Sequence, residues 1–209
     1  KINKMQKGLL FIMILLMVSC RSEKKEFKKL HGSAFGTTYS ITYQNNFNLD
    51  FNKQIDSIIY VMNKSLSTYM PNSDISKIND GDESILIDAN FNEVFKKSDR
   101  IFKQTNGFFD PTVGPMVNAW GFGPEKAIND LSTEQVDSLM QFVGFDKVKT
   151  ENGAIVKATP EIYFDFNAIA KGFGIDLIGR FLESKGCEHY LFELGGEIRA
   201  RGSNKDGNY

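Results

Sequence analysis

The chain has 209 residues, of which 41% are hydrophobic and 24% are charged, and its formal net charge is −1. These values are typical of a folded globular protein with one sizeable hydrophobic core. The even balance of charges excludes the strongly basic surface that nucleic-acid-binding proteins use, so no nucleic-acid partner is expected.

The first twenty residues have the pattern of an export signal. Lys1, Lys4 and Lys7 precede an apolar run over 8–18. This run is shorter than the about 20 apolar residues that a membrane-spanning helix needs. It is followed by Ser19 and Cys20, and the ending resembles the bacterial lipobox, in which the cysteine is diacylated and becomes the mature N-terminus.

This interpretation divides the chain into three parts. Residues 1–19 are the lipoprotein signal peptide, 20–30 are the lipidated Cys20 and a flexible tether, and 31–209 are the folded domain. We expect a protein of the bacterial cell envelope, held to a membrane by its lipid and facing the periplasm or the exterior. The alternatives are a plain signal peptide or a signal anchor with an incidental cysteine. With Cys20 acylated, Cys187 has no intramolecular partner and is interpreted as a structural thiol.

Strands and helices alternate irregularly in the folded part, so an α+β domain of mixed sheet and helices is expected rather than a doubly wound sheet. Apolar residues at helical spacing predict helices near 51–66, 91–102 and 169–185. Another helix is predicted over 132–143, beginning with a capping box. Strands are predicted at 34–43, 85–87, around 155, 162–166, 190–194 and 197–201.

The sequence stops in a turn-like segment, 203–209, directly after a predicted strand pair. A two-stranded ribbon seldom completes a domain without more sheet beside it. We therefore expect that a C-terminal part of the domain is missing from these 209 residues.

Four irregular segments rich in Gly, Pro and small polar residues lie between the regular elements, where sites are often built. They are 35–38, 67–76, 107–123 and 165–174. The hydroxyls of the second segment are equally well explained as turn formers.

The third segment is the densest of the four. Its glycines and prolines fix a backbone path, and the segment offers flat apolar faces that can enclose a planar ring. These faces belong to Phe108, Phe109, Trp120 and Phe122. The alternative is a satellite core under a long loop, which is the commoner outcome for such a cluster.

In the fourth segment, Asp165 is predicted to end a strand, and a helix follows with Lys171 and Gly172 in its first turn. Free backbone amides at a helix start with a lysine beside them suit a phosphate. The segment is not a Rossmann fingerprint, because Gly172 and Gly174 lack a third glycine and lie inside the helix. Taken alone, it indicates an anion or a nucleotide and no more.

In this order, the segments resemble the ApbE family of flavin transferases. The resemblance runs from Phe35 to Gly202 and is carried by 35–38, 67–69 with 72–76, 109–115 with 120–123, 165–172 and 194–197. It implies a single α+β ApbE-like domain. The activity that it implies is Mg²⁺-dependent transfer of the FMN moiety of FAD to a Thr or Ser of a flavoprotein through a phosphoester bond, with release of AMP. The implied acceptors are flavoprotein subunits of membrane redox pumps.

The resemblance also implies roles for individual residues. Phe35 is expected to pack on the flavin and Tyr69 to stack on a ring of FAD. Asp110 is expected to accept a hydrogen bond from a base or ribose, and Lys171 to approach a phosphate. The complete set of implied FAD contacts is Phe35, Tyr69, Phe108, Phe109, Asp110, Asp165 and Lys171.

Ala168 falls where the family supplies a metal ligand, and it has only its backbone carbonyl to offer, which Mg²⁺ accepts. The family's other metal ligands, an Asp and a nearby Ser or Thr, belong to a C-terminal segment absent here, and the catalytic residues are expected there too. We therefore expect no FMN transfer by this chain alone and transfer by the full-length product. The alternatives are an FAD-binding lipoprotein without transferase activity and an FAD pyrophosphatase that gives FMN and AMP.

Overall fold

The computed structural model describes residues 26–45, 49–128 and 130–207. The predicted signal peptide and the predicted lipidation site at Cys20 lie outside these residues. No helix within the described ranges is long and apolar enough to cross a membrane.

Within the described residues, six strands form two antiparallel sheets. The larger sheet has four strands in the order β1-β2-β5-β6, and the smaller one is the hairpin of β3 and β4. The strands are β1 (Phe27–Ala34), β2 (Thr37–Gln44), β3 (Val148–Glu151), β4 (Ala154–Lys157), β5 (Tyr190–Leu194) and β6 (Glu197–Arg201).

In the part of the chain that the structure describes, six α-helices and one 3₁₀ helix accompany the sheets. The helices are α1 (Asn52–Leu66), α2 (Asp74–Asn79), α3 (Ala89–Gln104), α4 (Gly114–Ala119), α5 (Thr133–Met140) and α6 (Asn167–Ser184), and the 3₁₀ helix is Phe145–Lys147. The predicted capping box of α5 is confirmed, since Ser132 and Gln135 exchange side-chain-to-backbone hydrogen bonds. This mixture of helices and antiparallel sheets confirms the α+β prediction.

The buried residues of the described ranges form two hydrophobic clusters. The first joins one face of the large sheet to α1 and α6 through residues such as Ile41, Ile55 and Ile178. The second joins the end of α1 to α2, α3 and the segment before α6, where phenylalanines dominate. Phe35 packs against both clusters. Cys187 is buried in the first cluster as a free thiol, which confirms its structural interpretation.

The strand boundaries differ from the sequence expectation in three places. The predicted strand over 34–43 is instead a hairpin, because the chain turns at Phe35 and Gly36, which both have positive φ. Strand β1 also includes residues 27–30 of the predicted tether, and Leu30 is buried. The segments 85–87 and 162–166 form only isolated bridges, Leu86 with Ala154 and Val113 with Tyr163.

Candidate functional site

A cleft of about 640 Å³ opens beside the β1–β2 turn. Its walls come from that turn, the C-terminal half of α1, the loop after α1 and the first turns of α6. Most of the lining is apolar, and Met62, Leu66 and Met70 contribute to it. The volume lies within the range of small-molecule sites, and apolar walls with few polar groups are typical of such sites.

Phe35 lies at the turn that borders this cleft. Its φ of 51° is in the left-handed region, which costs a non-glycine residue about 1 kcal/mol or more. Its ring packs over Gly174 of α6, where a Cβ would lie only 2.9 Å from the ring. The strained turn brings the Phe35 ring to α6, and Gly174, which has no side chain, leaves room for it there. The ring therefore lies between the two core clusters and beside the cleft.

Tyr69 lies in the loop after α1, with its side chain 58% exposed. Its hydroxyl donates a hydrogen bond of 2.7 Å to the Phe122 carbonyl, which fixes the ring at the cleft. The neighbouring Ser73 hydroxyl donates to the Ser67 carbonyl and accepts from the Ser76 amide at the start of α2. Ser73 therefore acts as a turn former and helix cap, and the loop that it builds displays Tyr69.

Lys171 also lines the cleft. Because α6 begins at Asn167, Lys171 lies in the second turn of the helix, so its expected place in the first turn is wrong. Its Nζ lies 3.6 Å from the Glu197 Oε1. The expectation of a free amide is also wrong at Asn167, whose backbone N–H donates to Asp165 Oδ1.

Asp165 precedes α6 and does not end a strand, so that expectation is wrong. Its carboxylate accepts from the Asn167 amide at 2.6 Å and from the Asn167 side chain at 3.0 Å. Burial raises the pKa of this carboxyl, and the hydrogen bonds from Asn167 oppose the rise. The Asp165 amide donates to the Pro111 carbonyl, so the third and fourth segments are joined.

Asp110 is engaged in a similar way. Its Oδ1 accepts from the amide and the hydroxyl of Thr112, and its Oδ2 accepts from the Phe145 amide at 3.1 Å. The Thr112 hydroxyl in turn accepts a hydrogen bond from the Gly144 amide. A carboxylate has about four acceptor positions, so these three bonds leave one for a ligand. These hydrogen bonds within the protein give Asp110 a structural role. Its contact with FAD stays a prediction.

The aromatic loop over 107–123 does not form a satellite core. Phe108 is 97% exposed, and Trp120 and Phe122 are also exposed, so the core interpretation is wrong for these three rings. The backbone beneath them is held, because the Phe122 amide donates to the Val117 carbonyl at 2.9 Å. The rings are therefore exposed on a fixed support, which suits binding of a flat partner.

Three of the seven predicted FAD contacts line the cleft, namely Phe35, Tyr69 and Lys171. The other four, Phe108, Phe109, Asp110 and Asp165, are not among its lining residues. Met62 and Met70 were not predicted to line a site. Met62 has the helical apolar spacing of an ordinary core residue, and Met70 lies in the segment 67–76 but was given no role. Glu197, which faces Lys171, was given no role either.

The described residues do not form a complete Mg²⁺ site. Ala168 offers only a carbonyl, and within the described ranges no group of three or more His, Cys, Asp or Glu side chains is placed to hold a metal ion. Mg²⁺ is usually held by one or two carboxylates together with waters and substrate phosphates, and the Ala168 carbonyl alone does not make such a site.

Comparison with known proteins places the chain in a family. The model of the ApbE family matches residues 35–209. An FAD:protein FMN transferase of Haemophilus influenzae is 36% identical over 98% of this chain and 63% of its own length. One from Vibrio cholerae is 37% identical over 74% of this chain and 47% of its own length.

Solved structures show the same fold. The structure of the flavin transferase ApbE from Vibrio cholerae has a TM-score of 0.81 and 36% identity, covering 88% of this chain and 62% of that one. The apo flavinyl transferase ApbE of Pseudomonas stutzeri has a TM-score of 0.81 and 25% identity, covering 90% and 65%. This chain therefore spans less than two thirds of the length of these relatives. It belongs to the ApbE family.

Proposed function

We propose that the protein transfers the FMN moiety of FAD to a Thr or Ser of a partner flavoprotein through a phosphoester bond, with release of AMP. The observation that carries the proposal is the cleft that gathers Phe35, Tyr69 and Lys171 from three separate segments. Family membership supports it, since the similar proteins of Haemophilus influenzae and Vibrio cholerae are named FAD:protein FMN transferases. Aromatic walls with one cation suit a ligand that carries both a flat ring and phosphates.

In this proposal the residues of the chain bind and orient FAD. Phe35 and Tyr69 hold a ring of the ligand, and the Lys171 ammonium neutralises phosphate charge. The acceptor hydroxyl oxygen forms a bond to the FMN phosphorus and releases its proton to solvent, the pyrophosphate bridge breaks, and AMP leaves with the bonding electron pair. Phosphoryl transfer depends mainly on positioning and charge neutralisation, which is the kind of contribution these side chains offer.

The resemblance implies Mg²⁺ as the metal of this reaction, with the Ala168 carbonyl as one ligand. When bound, Mg²⁺ neutralises charge on the phosphates. The remaining ligands of such an ion are not among the described residues that the resemblance assigns to the metal.

The test is a flavin-transfer assay with two proteins, the 209-residue chain and a chain extended to the full length of its relatives. Each is incubated with FAD, Mg²⁺ and an acceptor domain, and the acceptor is analysed by in-gel flavin fluorescence and mass spectrometry. We expect an FMN adduct on Thr or Ser with the extended chain only. FAD binding without an adduct from the extended chain would favour an FAD-binding protein, and free FMN with AMP would favour a pyrophosphatase.

We also propose that Cys20 is lipidated and anchors the protein to a membrane of the bacterial cell envelope, near redox-pump flavoprotein subunits that accept FMN. The support is the sequence pattern of residues 1–20. A tether to the membrane of the acceptor would raise the effective concentration of the two proteins. Mass spectrometry of the mature N-terminus tests this. A diacylated Cys20 is expected, which Cys20→Ser abolishes, and an unmodified thiol in the exported protein would contradict it.

A further inference from the structure

An ion pair stands at the edge of the cleft. The Lys171 Nζ lies 3.6 Å from the Glu197 Oε1, and both side chains are about two-fifths exposed. Among the described residues that line the cleft, Lys171 is the only charged one. The cation that the proposed function assigns to a phosphate therefore already faces a carboxylate.

The position of Glu197 is set by its backbone. It begins β6 directly after Gly195 and Gly196, whose φ values of 55° and 94° form the turn from β5. The Gly196 amide donates to the Glu193 carboxylate at 2.7 Å and so holds this turn. The Glu197 carboxylate lies close to α6 at Gly172, where a Cβ would be 3.2 Å from Oε2. The fold thus places this carboxylate beside the helix turn that carries Lys171.

We propose that Glu197 is a positioning residue that competes with the phosphates of FAD for the Lys171 ammonium. This inference rests on the proposed function. At 3.6 Å the pair is longer than a good hydrogen bond, and pairs between partly exposed side chains contribute little to stability. Lys171 therefore exchanges Glu197 for a phosphate at small cost, and the carboxylate holds the ammonium in place until the ligand arrives.

The first test compares two ligands that share the flavin ring. FAD carries phosphates and riboflavin carries none, and the dissociation constant of each is measured by flavin fluorescence. Because Glu197→Gln frees Lys171, we expect it to tighten FAD binding about threefold, the effect of losing one exposed ion pair. Riboflavin binding should not change. Glu151→Gln is the matched control, since Glu151 pairs with Lys149 in the β3–β4 hairpin and does not line the cleft.

The second test is a double-mutant cycle. Lys171→Met should weaken FAD binding, and Glu197→Gln should give no further tightening in its presence. Unchanged or weaker FAD binding by Glu197→Gln, an equal effect on riboflavin, or a tightening that persists in Lys171→Met would overturn the inference and leave the proposed function standing. Failure of the unsubstituted chain to bind FAD would contradict both.

Discussion

At the scale of single residues, Tyr69 shows how the site is prepared for a ligand. Its ring is exposed, yet its hydroxyl is fixed to the Phe122 carbonyl. A ring that is held before the ligand arrives loses less conformational entropy on binding. The residue that the resemblance assigns to ring stacking is thus also one that the fold orients.

Replacing Tyr69 by Leu should weaken FAD binding about three- to tenfold, because an aromatic contact is worth about 0.5–1.5 kcal/mol beyond its buried area. Tyr69→Phe keeps the ring and loses the hydrogen bond, so it should have a smaller effect. Fluorescence titration with FAD measures both. Tyr60→Leu is the control, since Tyr60 is 61% exposed on α1 and does not line the cleft. Equal effects at both positions would contradict the assignment.

Asn79 fixes the backbone that leads to Asp165. Its Oδ1 accepts from the Phe164 amide at 2.8 Å, and its Nδ2 donates to the Phe164 carbonyl at 2.9 Å. Asn79→Ala leaves both groups unpaired beside a buried ring and should lower the free energy of unfolding by about 2 kcal/mol. Asn79→Asp keeps the acceptor and should cost less. Urea unfolding ranks the free energies of unfolding of the parent and the two variants. An Asn79→Ala variant as stable as the parent would contradict the role of Asn79.

At the scale of elements, the four longest helices, α1, α3, α5 and α6, could be predicted because their apolar residues recur at helical spacing. The short helices α2 and α4 were not predicted, and two other features could not be predicted from local pattern. The β1–β2 turn depends on Phe35 in a left-handed conformation, which local propensity disfavours and the packing over Gly174 supports. The segment over 162–166 has the composition of a strand, but the Phe164 backbone is paired with the Asn79 side chain instead of a neighbouring strand.

The close contact between α6 and the β1–β2 turn gives a test at this scale. In Gly174→Ala, the new Cβ would lie 2.9 Å from the Phe35 ring and 3.2 Å from the Met62 sulfur. Overpacking of this kind costs about 1–3 kcal/mol and should displace the ring, so both stability and FAD affinity should fall.

Gly172→Ala is the matched control for this prediction. It lies on the same helix, and its Cβ would meet only the flexible end of Glu197. Because Ala has a higher helix propensity than Gly, this variant should be more stable than the parent by up to about 1 kcal/mol. Thermal unfolding compares the two variants, and a Gly174→Ala variant at least as stable as Gly172→Ala would contradict the packing argument.

The contact between α6 and β6 predicts a pH dependence. Hydrogen bonds from Tyr190 and Arg199 hold the pKa of Glu183 below its ordinary value of 4.5. Its ionised form therefore stabilises the fold above that value, and the contribution is lost as the pH falls through the lower, folded-state pKa.

Glu183→Gln should thus be less stable than the parent at pH 7, and the difference should shrink as the pH is lowered through the folded-state pKa, because the parent carboxyl then becomes protonated as well. Urea unfolding at pH 7 and over a series of pH values below 4.5 gives the comparison. A stability difference that does not change with pH would show that the charge of Glu183 is not the cause.

At the scale of the whole molecule, the sequence predicted the fold class better than it predicted the contacts of individual side chains in the candidate site. Phe35, Tyr69 and Lys171 line one cleft, and their contacts with FAD stay predictions. Asp110 and Asp165 were assigned to FAD, but their carboxylates also bind neighbouring backbone amides. Motif spacing does not distinguish a carboxylate that holds a loop from one that binds a ligand, because both need an acceptor at the same position.

We propose above that this cleft binds FAD through Phe35, Tyr69 and Lys171. A fluorescence titration of the 209-residue chain with FAD and with riboflavin, repeated on Lys171→Met, tests it most directly. We predict saturable binding of both flavins, with Lys171→Met weakening FAD and leaving riboflavin unchanged. No saturable FAD binding, or binding that Lys171→Met alters equally for both flavins, would contradict the account.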